Sequence, residues 1–118
     1  MSWFKRRVAS FGHAMRGVKD LLLEEHHAQL HLLATVLVVT LGLYLDITRT
    51  DWQMLLLVVA LVWLAEGINT ALEHLCDAVV PEHHPLIGRA KDVAAGSVLI
   101  TAGFAVVMGA VIFIPYLI

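Results

Sequence analysis

WQMLLLVVALVWLAEGINTALEHLCD, residues 52–77, is long enough to cross a bilayer and carries a polar stripe in its last third. The stripe consists of Glu66, Asn69, Glu73 and Asp77, at spacings of 3, 4 and 4 residues. These spacings place the four side chains roughly on one face of an α-helix. Carboxylates near hydrocarbon are costly, and they usually face a protein interior and carry function. The stretch therefore predicts a membrane helix with a candidate site near one end.

The composition of the chain also favours a membrane protein. Of its 118 residues, 59% are hydrophobic, and the mean hydropathy is +0.81. A soluble domain of this size could not bury so many aliphatic side chains without large exposed patches. We predict a single domain over residues 1–118, with transmembrane helices at about 29–46, 52–79 and 90–117.

Two short segments separate the predicted spans. DITRTD, residues 46–51, is short and polar, so the first two spans should form an antiparallel hairpin. PEHHPLIG, residues 81–88, carries two prolines and a glycine and should interrupt the helix before the third span.

The N-terminal segment, residues 1–28, combines basic and apolar residues. Its cations are Lys5, Arg6, Arg7, Arg16 and Lys19, and aromatic and aliphatic residues lie between them. This pattern is typical of an amphipathic helix on an anionic membrane surface. We expect no nucleic-acid partner, because the rest of the chain offers no further basic surface.

The distribution of Lys and Arg predicts the orientation in the membrane. Five lie in the N-terminal segment, and Arg89 and Lys91 lie near the start of the third span, whereas the hairpin has only Arg49. By the positive-inside rule, the N-terminus and the polar end of the second span should face the cytoplasm.

Three polar clusters should then meet at one membrane depth. Glu24 and Glu25 precede the first span, the polar stripe lies on the second, and Lys91 and Asp92 open the third. Carboxylate oxygens are ligands that Mg²⁺ prefers, and lysine binds phosphate as a point charge. A remaining carboxylate could accept a proton from an attacking hydroxyl. The set indicates phosphoryl transfer, although the glycine-rich phosphate-binding motifs of soluble kinases and P-loop proteins do not occur in the sequence.

Two motifs carry a resemblance to a known family. They are ExxNTALE at 66–73, followed by Asp77, and HPLIGRAKDVAAGSVLI at 84–100. Together with the basic amphipathic start and the acid before the first span, they resemble the small prokaryotic diacylglycerol kinase family, which includes undecaprenol kinases. The resemblance covers most of the chain. It implies an all-α enzyme of the bacterial inner membrane, with one interfacial helix and three transmembrane helices, assembled as a homotrimer with sites between neighbouring chains.

The resemblance also implies a reaction and its catalytic residues. The γ-phosphate of ATP would pass to the primary hydroxyl of a membrane lipid, either diacylglycerol or undecaprenol. Glu66 would be the catalytic base that takes the proton of that hydroxyl. Asn69 would orient either Glu66 or the phosphate.

The same resemblance implies a metal site and a nucleotide site. Glu25 and Glu73 would hold Mg²⁺ on ATP, and Glu25 matches better than Glu24 because the family's acid stands six residues before a histidine. Lys91 would contact phosphates, and Asp92 would position the lysine or the nucleotide. Asp77 would support the nucleotide.

Some positions depart from the family pattern. Gln29 stands where the family often has an arginine, and Ala28 where an aromatic residue usually precedes it. For the lipid, NTALE, HPL and KDVAAG resemble undecaprenol kinases, whereas GRAKD resembles diacylglycerol kinases. The sequence leaves both lipids open.

Other function classes also fit some of the residues. The chain has seven histidines, and His27 and His31 at i, i+4 could share a metal ion, as in a small cation-transport or metal-binding membrane subunit. A structural assembly subunit would use Glu66 and Glu73 as partners of Arg89 or Lys91 between helices.

Overall fold

The computed structural model describes residues 2–118, which form four α-helices and no strand. In chain order they are α1 (Trp3–Glu24), α2 (His26–Leu45), α3 (Arg49–Val79) and α4 (Pro85–Leu117). The last three are long and apolar enough to cross a membrane. The predicted class, one N-terminal helix followed by three candidate membrane spans, is confirmed.

The link between α3 and α4 is shorter than predicted. His84 caps α4 by accepting a hydrogen bond from the backbone N–H of Leu86 at 3.1 Å, and Pro85 occupies the first turn. Proline suits that position because its missing N–H would have no helical partner there. Residues 86–88 are therefore helical, and the predicted link over 81–88 is wrong in its second half. For the same reason Lys91 lies in the second turn of α4.

Helix α1 contacts the other helices mainly near its C-terminal end. No residue of α1 is buried, and apolar side chains such as Phe4 and Phe11 are largely exposed. Near its end, Leu21 Cδ2 lies 3.7 Å from the position that a Cβ on Gly67 of α3 would occupy. Exposed apolar side chains along a basic helix suit a surface position on a membrane.

An extended residue, Glu25, separates α1 from α2. Its backbone has φ −94° and ψ 122°, so the helix stops and restarts there. The Gln29 side chain donates to the Leu23 carbonyl at 3.0 Å, which satisfies an acceptor at the end of α1. Ala28 is completely buried beside this break. Both departures from the family pattern therefore lie at the junction of α1 and α2.

The apolar core lies at the end of the bundle that carries the link between α2 and α3, which we call the hairpin end. Asp46 adopts the left-handed conformation with φ 51°, and the Ile47 N–H donates to the Gly42 carbonyl at 3.2 Å. This reversal directs Ile47 into a cluster with residues of α3 and α4. The buried members of the cluster are Ile47, Leu55, Ile112 and Phe113.

At the hairpin end, a polar contact joins the start of α3 to the end of α4. The Tyr116 hydroxyl donates to Asp51 Oδ2 at 2.6 Å and accepts from the Thr48 N–H at 3.0 Å. Thr48 also caps α3, because its hydroxyl accepts from the Asp51 N–H. The Tyr116 hydroxyl thus provides an acceptor for a backbone N–H at the start of α3 and holds the end of α4 against that start.

The polar stripe of α3 lies towards the opposite end of the bundle. We call this the site end; there α2 begins and α3 ends. Between α2, α3 and α4 an apolar cavity of about 350 Å³ opens from the bundle. Its walls come from Val58, Val62, Ala102 and Ala105 among others, and His31 stands on its lining.

Gly42 provides a test of the packing at the hairpin end. A Cβ at this position would lie 2.8 Å from Cη2 of Trp52 and 3.2 Å from Cδ1 of Ile47. We expect Gly42→Ala to lower the free energy of unfolding by about 1–3 kcal/mol through overpacking. Equilibrium unfolding in mixed micelles measures the change. Gly103→Ala is the control, because a Cβ there meets nothing within 4 Å, and an equal loss in both variants would contradict the packing.

Candidate functional site

Glu66 is the most deeply buried ionisable side chain of the polar stripe. Only 3% of the residue is exposed. Its Oε2 lies 3.3 Å from His31 Nε2 on α2, and its Oε1 accepts a hydrogen bond from Thr70 Oγ1 at 3.5 Å. A buried carboxyl group needs polar partners, and His31 and Thr70 are those that the described residues supply to Glu66.

The partner of Glu66 is itself held by aromatic and hydroxyl groups. The rings of His31 and Trp63 meet edge to face, with centroids 6.2 Å apart. Trp63 Nε1 donates to Thr35 Oγ1 at 3.0 Å, and that hydroxyl donates to the His31 carbonyl at 2.7 Å. These contacts join α2 to α3 beside the carboxylate.

Asn69 lies one turn beyond Glu66 and has an unpaired polar atom. The residue is 7% exposed, and its Oδ1 has no hydrogen-bond partner within residues 2–118. A buried polar atom without a partner costs about 1–3 kcal/mol, so natural proteins usually supply a donor. A ligand that presents an N–H, an O–H or a metal ion would satisfy this oxygen.

Lys91 and Asp77 form an ion pair between α3 and α4, at 2.5 Å from Nζ to Oδ1. Asp92 is exposed on α4 and makes no ion pair within the described range. The acid that contacts the lysine is therefore Asp77, one of the two aspartates predicted on the nucleotide side. Among the described residues, Lys91 pairs with neither Glu66 nor Glu73, as the structural alternative had required.

Of the two predicted metal ligands, Glu25 contacts the residue that follows the other, Glu73, in sequence. Glu25 Oε1 lies 3.0 Å from His74 Nε2, which places this carboxylate beside the residue that follows Glu73. Glu73 is half-buried and makes no ion pair in the part of the chain described. Within residues 2–118, no three His, Cys, Asp or Glu side chains form a group that could hold a metal ion. Two carboxylates with waters and phosphate oxygens are nevertheless a donor set suited to Mg²⁺.

Three residues of this region were not predicted as site residues. The sequence suggested His31 only as a possible metal ligand together with His27. The fold instead places its ring against Glu66. Thr70 and His74 each stand next to a predicted residue, Asn69 or Glu73. Periodicity could have indicated Thr70, which follows Glu66 by one helical turn, whereas His31 and His74 act across helices.

The arrangement provides the elements of a group transfer at the site end. The buried carboxyl group of Glu66 can act as a proton acceptor, and the amide oxygen of Asn69, one turn further along α3, can accept a hydrogen bond from a ligand. Glu73 and Asp77 lie further along α3 towards its C-terminal end, and Lys91 of α4 pairs with Asp77 there. Charged phosphates and a cation can be bound by such groups.

Comparison with known proteins gives a consistent result. Residues 12–113 match the model of the family described as prokaryotic diacylglycerol kinase. The undecaprenol kinase of Bacillus subtilis is 35% identical over 112 residues, which cover 95% of this chain and 91% of that protein. The diacylglycerol kinase of Escherichia coli K12 is 31% identical over 104 residues, or 88% of this chain and 85% of that protein. The chain therefore belongs to the prokaryotic diacylglycerol kinase family.

Proposed function

We propose that this protein is an ATP- and Mg²⁺-dependent lipid kinase. It transfers the γ-phosphate of ATP to the primary hydroxyl of diacylglycerol, giving phosphatidic acid, or of undecaprenol, giving undecaprenyl phosphate. Family membership supports the reaction class, and the two kinds of relative support these two lipids. The observation that carries the proposal is a carboxylate, Glu66, that is buried within a predicted membrane span and lies next to an unpaired amide oxygen.

The chemistry at Glu66 follows from its surroundings. The lipid hydroxyl approaches from the bilayer, and Glu66 takes its proton as the oxygen attacks the γ-phosphorus. Asn69 lies one turn along the same face and orients either the carboxylate or the phosphate. A base that activates a lipid hydroxyl must be shielded from bulk water, because water would compete with the lipid for the phosphoryl group.

The nucleotide is bound towards the C-terminal end of α3. Lys91 contacts phosphate oxygens, and Asp77 holds the lysine in place through the ion pair. Asp92 lies one residue further along α4 and contacts the nucleotide. Glu25 and Glu73 hold Mg²⁺, which neutralises phosphate charge when bound.

We further propose that the enzyme is a homotrimer in the bacterial inner membrane, with its N-terminus and site facing the cytoplasm. A single chain leaves most of α1 exposed and offers little enclosure for a nucleotide beside a lipid. The exposed basic residues of α1 suit the anionic cytoplasmic leaflet.

A direct assay tests the reaction and the choice of lipid. The purified chain in micelles should transfer labelled phosphate from ATP to diacylglycerol, to undecaprenol, or to both, only when Mg²⁺ is present. The two lipids are compared at equal mole fraction in the same detergent. A protein that transfers phosphate to neither lipid would contradict the proposal, and metal flux without ATP turnover would favour a cation transporter.

Removing the proposed base should abolish most of the activity. We expect Glu66→Gln to lower kcat by about 10²–10⁴-fold, since an amide cannot accept the hydroxyl proton. Single-turnover transfer to the preferred lipid measures the chemical step. Glu24→Gln, an exposed change at the end of α1, is the matched control and should keep full activity. Full activity in Glu66→Gln would exclude this residue as the base.

The proposed metal ligands can be separated from their neighbours by titrating Mg²⁺. We expect Glu25→Gln and Glu73→Gln each to raise the Mg²⁺ concentration for half-maximal activity by about tenfold or more, because each removes one charged oxygen ligand. Glu24→Gln again serves as the control, since it alters the acid next to Glu25 in sequence. An unchanged Mg²⁺ requirement in Glu25→Gln or Glu73→Gln would remove that residue from the metal site.

A further inference from the structure

In the described part of the chain, the imidazole of His31 is the only basic side chain within salt-bridge distance of Glu66. The Nε2 to Oε2 distance is 3.3 Å, and the Glu66 side chain is 4% exposed whereas that of His31 is 20% exposed. The two residues come from different helices, so the fold and not local sequence brings them together. A buried carboxyl group with so few polar partners depends strongly on each of them.

The two oxygens of Glu66 have different surroundings. Oε2 faces His31, whereas Oε1 has only the Thr70 hydroxyl, at 3.5 Å. That second contact is at the long limit for a hydrogen bond between oxygens, so Oε1 is weakly held. A base needs one oxygen free for the incoming proton and benefits from an orientation fixed through the other.

His31 is placed to supply that orientation. Its ring packs edge to face on Trp63, and its backbone carbonyl accepts from Thr35, which in turn is held by the same tryptophan. The ring also lines the apolar cavity between α2, α3 and α4. His31 therefore meets Glu66 from the side of the cavity and is constrained in both ring and backbone.

We propose that His31 is a positioning residue for Glu66, whose Nε2–H holds Oε2 and so leaves Oε1 to take the proton of the lipid hydroxyl. This inference rests on the lipid-kinase function proposed above. In the step concerned, the proton moves from the hydroxyl to Oε1 and the lipid oxygen bonds to the γ-phosphorus. The bond from that phosphorus to the bridging oxygen breaks, and its electron pair leaves with ADP. Such contacts often tighten only when the substrate is bound.

The matched comparison uses a second histidine of α2. His27 lies one turn before His31 and is exposed, and its ring lies edge to face with that of His26, with centroids 6.1 Å apart. Substitution of His27 changes the same residue type on the same helix without touching Glu66. The useful variants are therefore His31→Leu, which removes the donor, His31→Gln, which keeps one, and His27→Leu.

The experiment measures kcat and the KM for ATP of the full-length variants in micelles with the preferred lipid. We expect His31→Leu to lower kcat by about ten- to hundredfold with the KM for ATP unchanged, because a donor to a charged group is lost. His31→Gln should stay within about threefold of the unsubstituted protein, since its amide can still donate to Oε2. His27→Leu should have no effect.

Several results would overturn the inference. They are an unchanged kcat in His31→Leu, a loss in His31→Gln as large as that in His31→Leu, or a loss confined to the KM for ATP. If His31→Leu does not fold, the His31→Gln variant alone decides. A kcat of His31→Gln as low as that of Glu66→Gln would show that a donor at this position does not support the base, and would overturn the inference. An unsubstituted chain that phosphorylates neither lipid overturns the kinase function first and this role with it.

A measurement without turnover tests the contact itself. With ¹⁵N-labelled histidine, Glu66→Gln should shift the imidazole resonances of His31 and leave those of His27 in place, because only His31 faces the carboxylate. Unchanged His31 resonances would show that the two side chains do not interact in the protein, and would overturn the inference whatever the activity.

Discussion

The structure depends on a buried ionisable side chain that lies in a predicted membrane span. Glu66 is almost fully buried at the site end of α3, and the low polarity of such a place strongly disfavours an unaccompanied carboxylate. The fold meets this constraint by bringing α2 alongside α3 so that His31 reaches the carboxylate. Trp63 and Thr35 then join the same two helices next to that pair. Stability and the proposed chemistry therefore make opposite demands on one residue, which must be shielded and yet remain a base.

Much of the fold could be predicted from the sequence, because the physics of a bilayer leaves few alternatives. Long apolar runs must be helical there, since their backbone groups find partners only within the segment. Boundaries were less predictable, as Pro85 illustrates: proline both ends and begins helices, and only the cap by His84 decides which. The interaction of Tyr116 with Thr48 and Asp51 joins residues far apart in sequence, so no local pattern could have indicated it.

The site was predictable in the parts that lie on one helix. Glu66, Asn69, Glu73 and Asp77 follow helical periodicity, and that periodicity is visible in the sequence. Contacts between helices could not be predicted in this way, because they depend on how the helices pack against one another. Thus Lys91 was expected near phosphate, but its pairing with Asp77 emerged only from the packing of α4 on α3. The roles of all the proposed site residues remain predictions, and the proposed experiments address those of Glu66, Glu25 and Glu73.

The distance between the apolar cluster at the hairpin end and the polar residues at the site end has an evolutionary consequence. The buried cluster of Ile47, Leu55, Ile112 and Phe113 holds the helices together away from the chemistry. Substitutions near the candidate site can then be accepted with little cost to this cluster, because changes at distant positions act nearly independently on stability. Such a separation allows substrate preference to diverge among descendants of one ancestral chain while the same three-span framework is inherited unchanged.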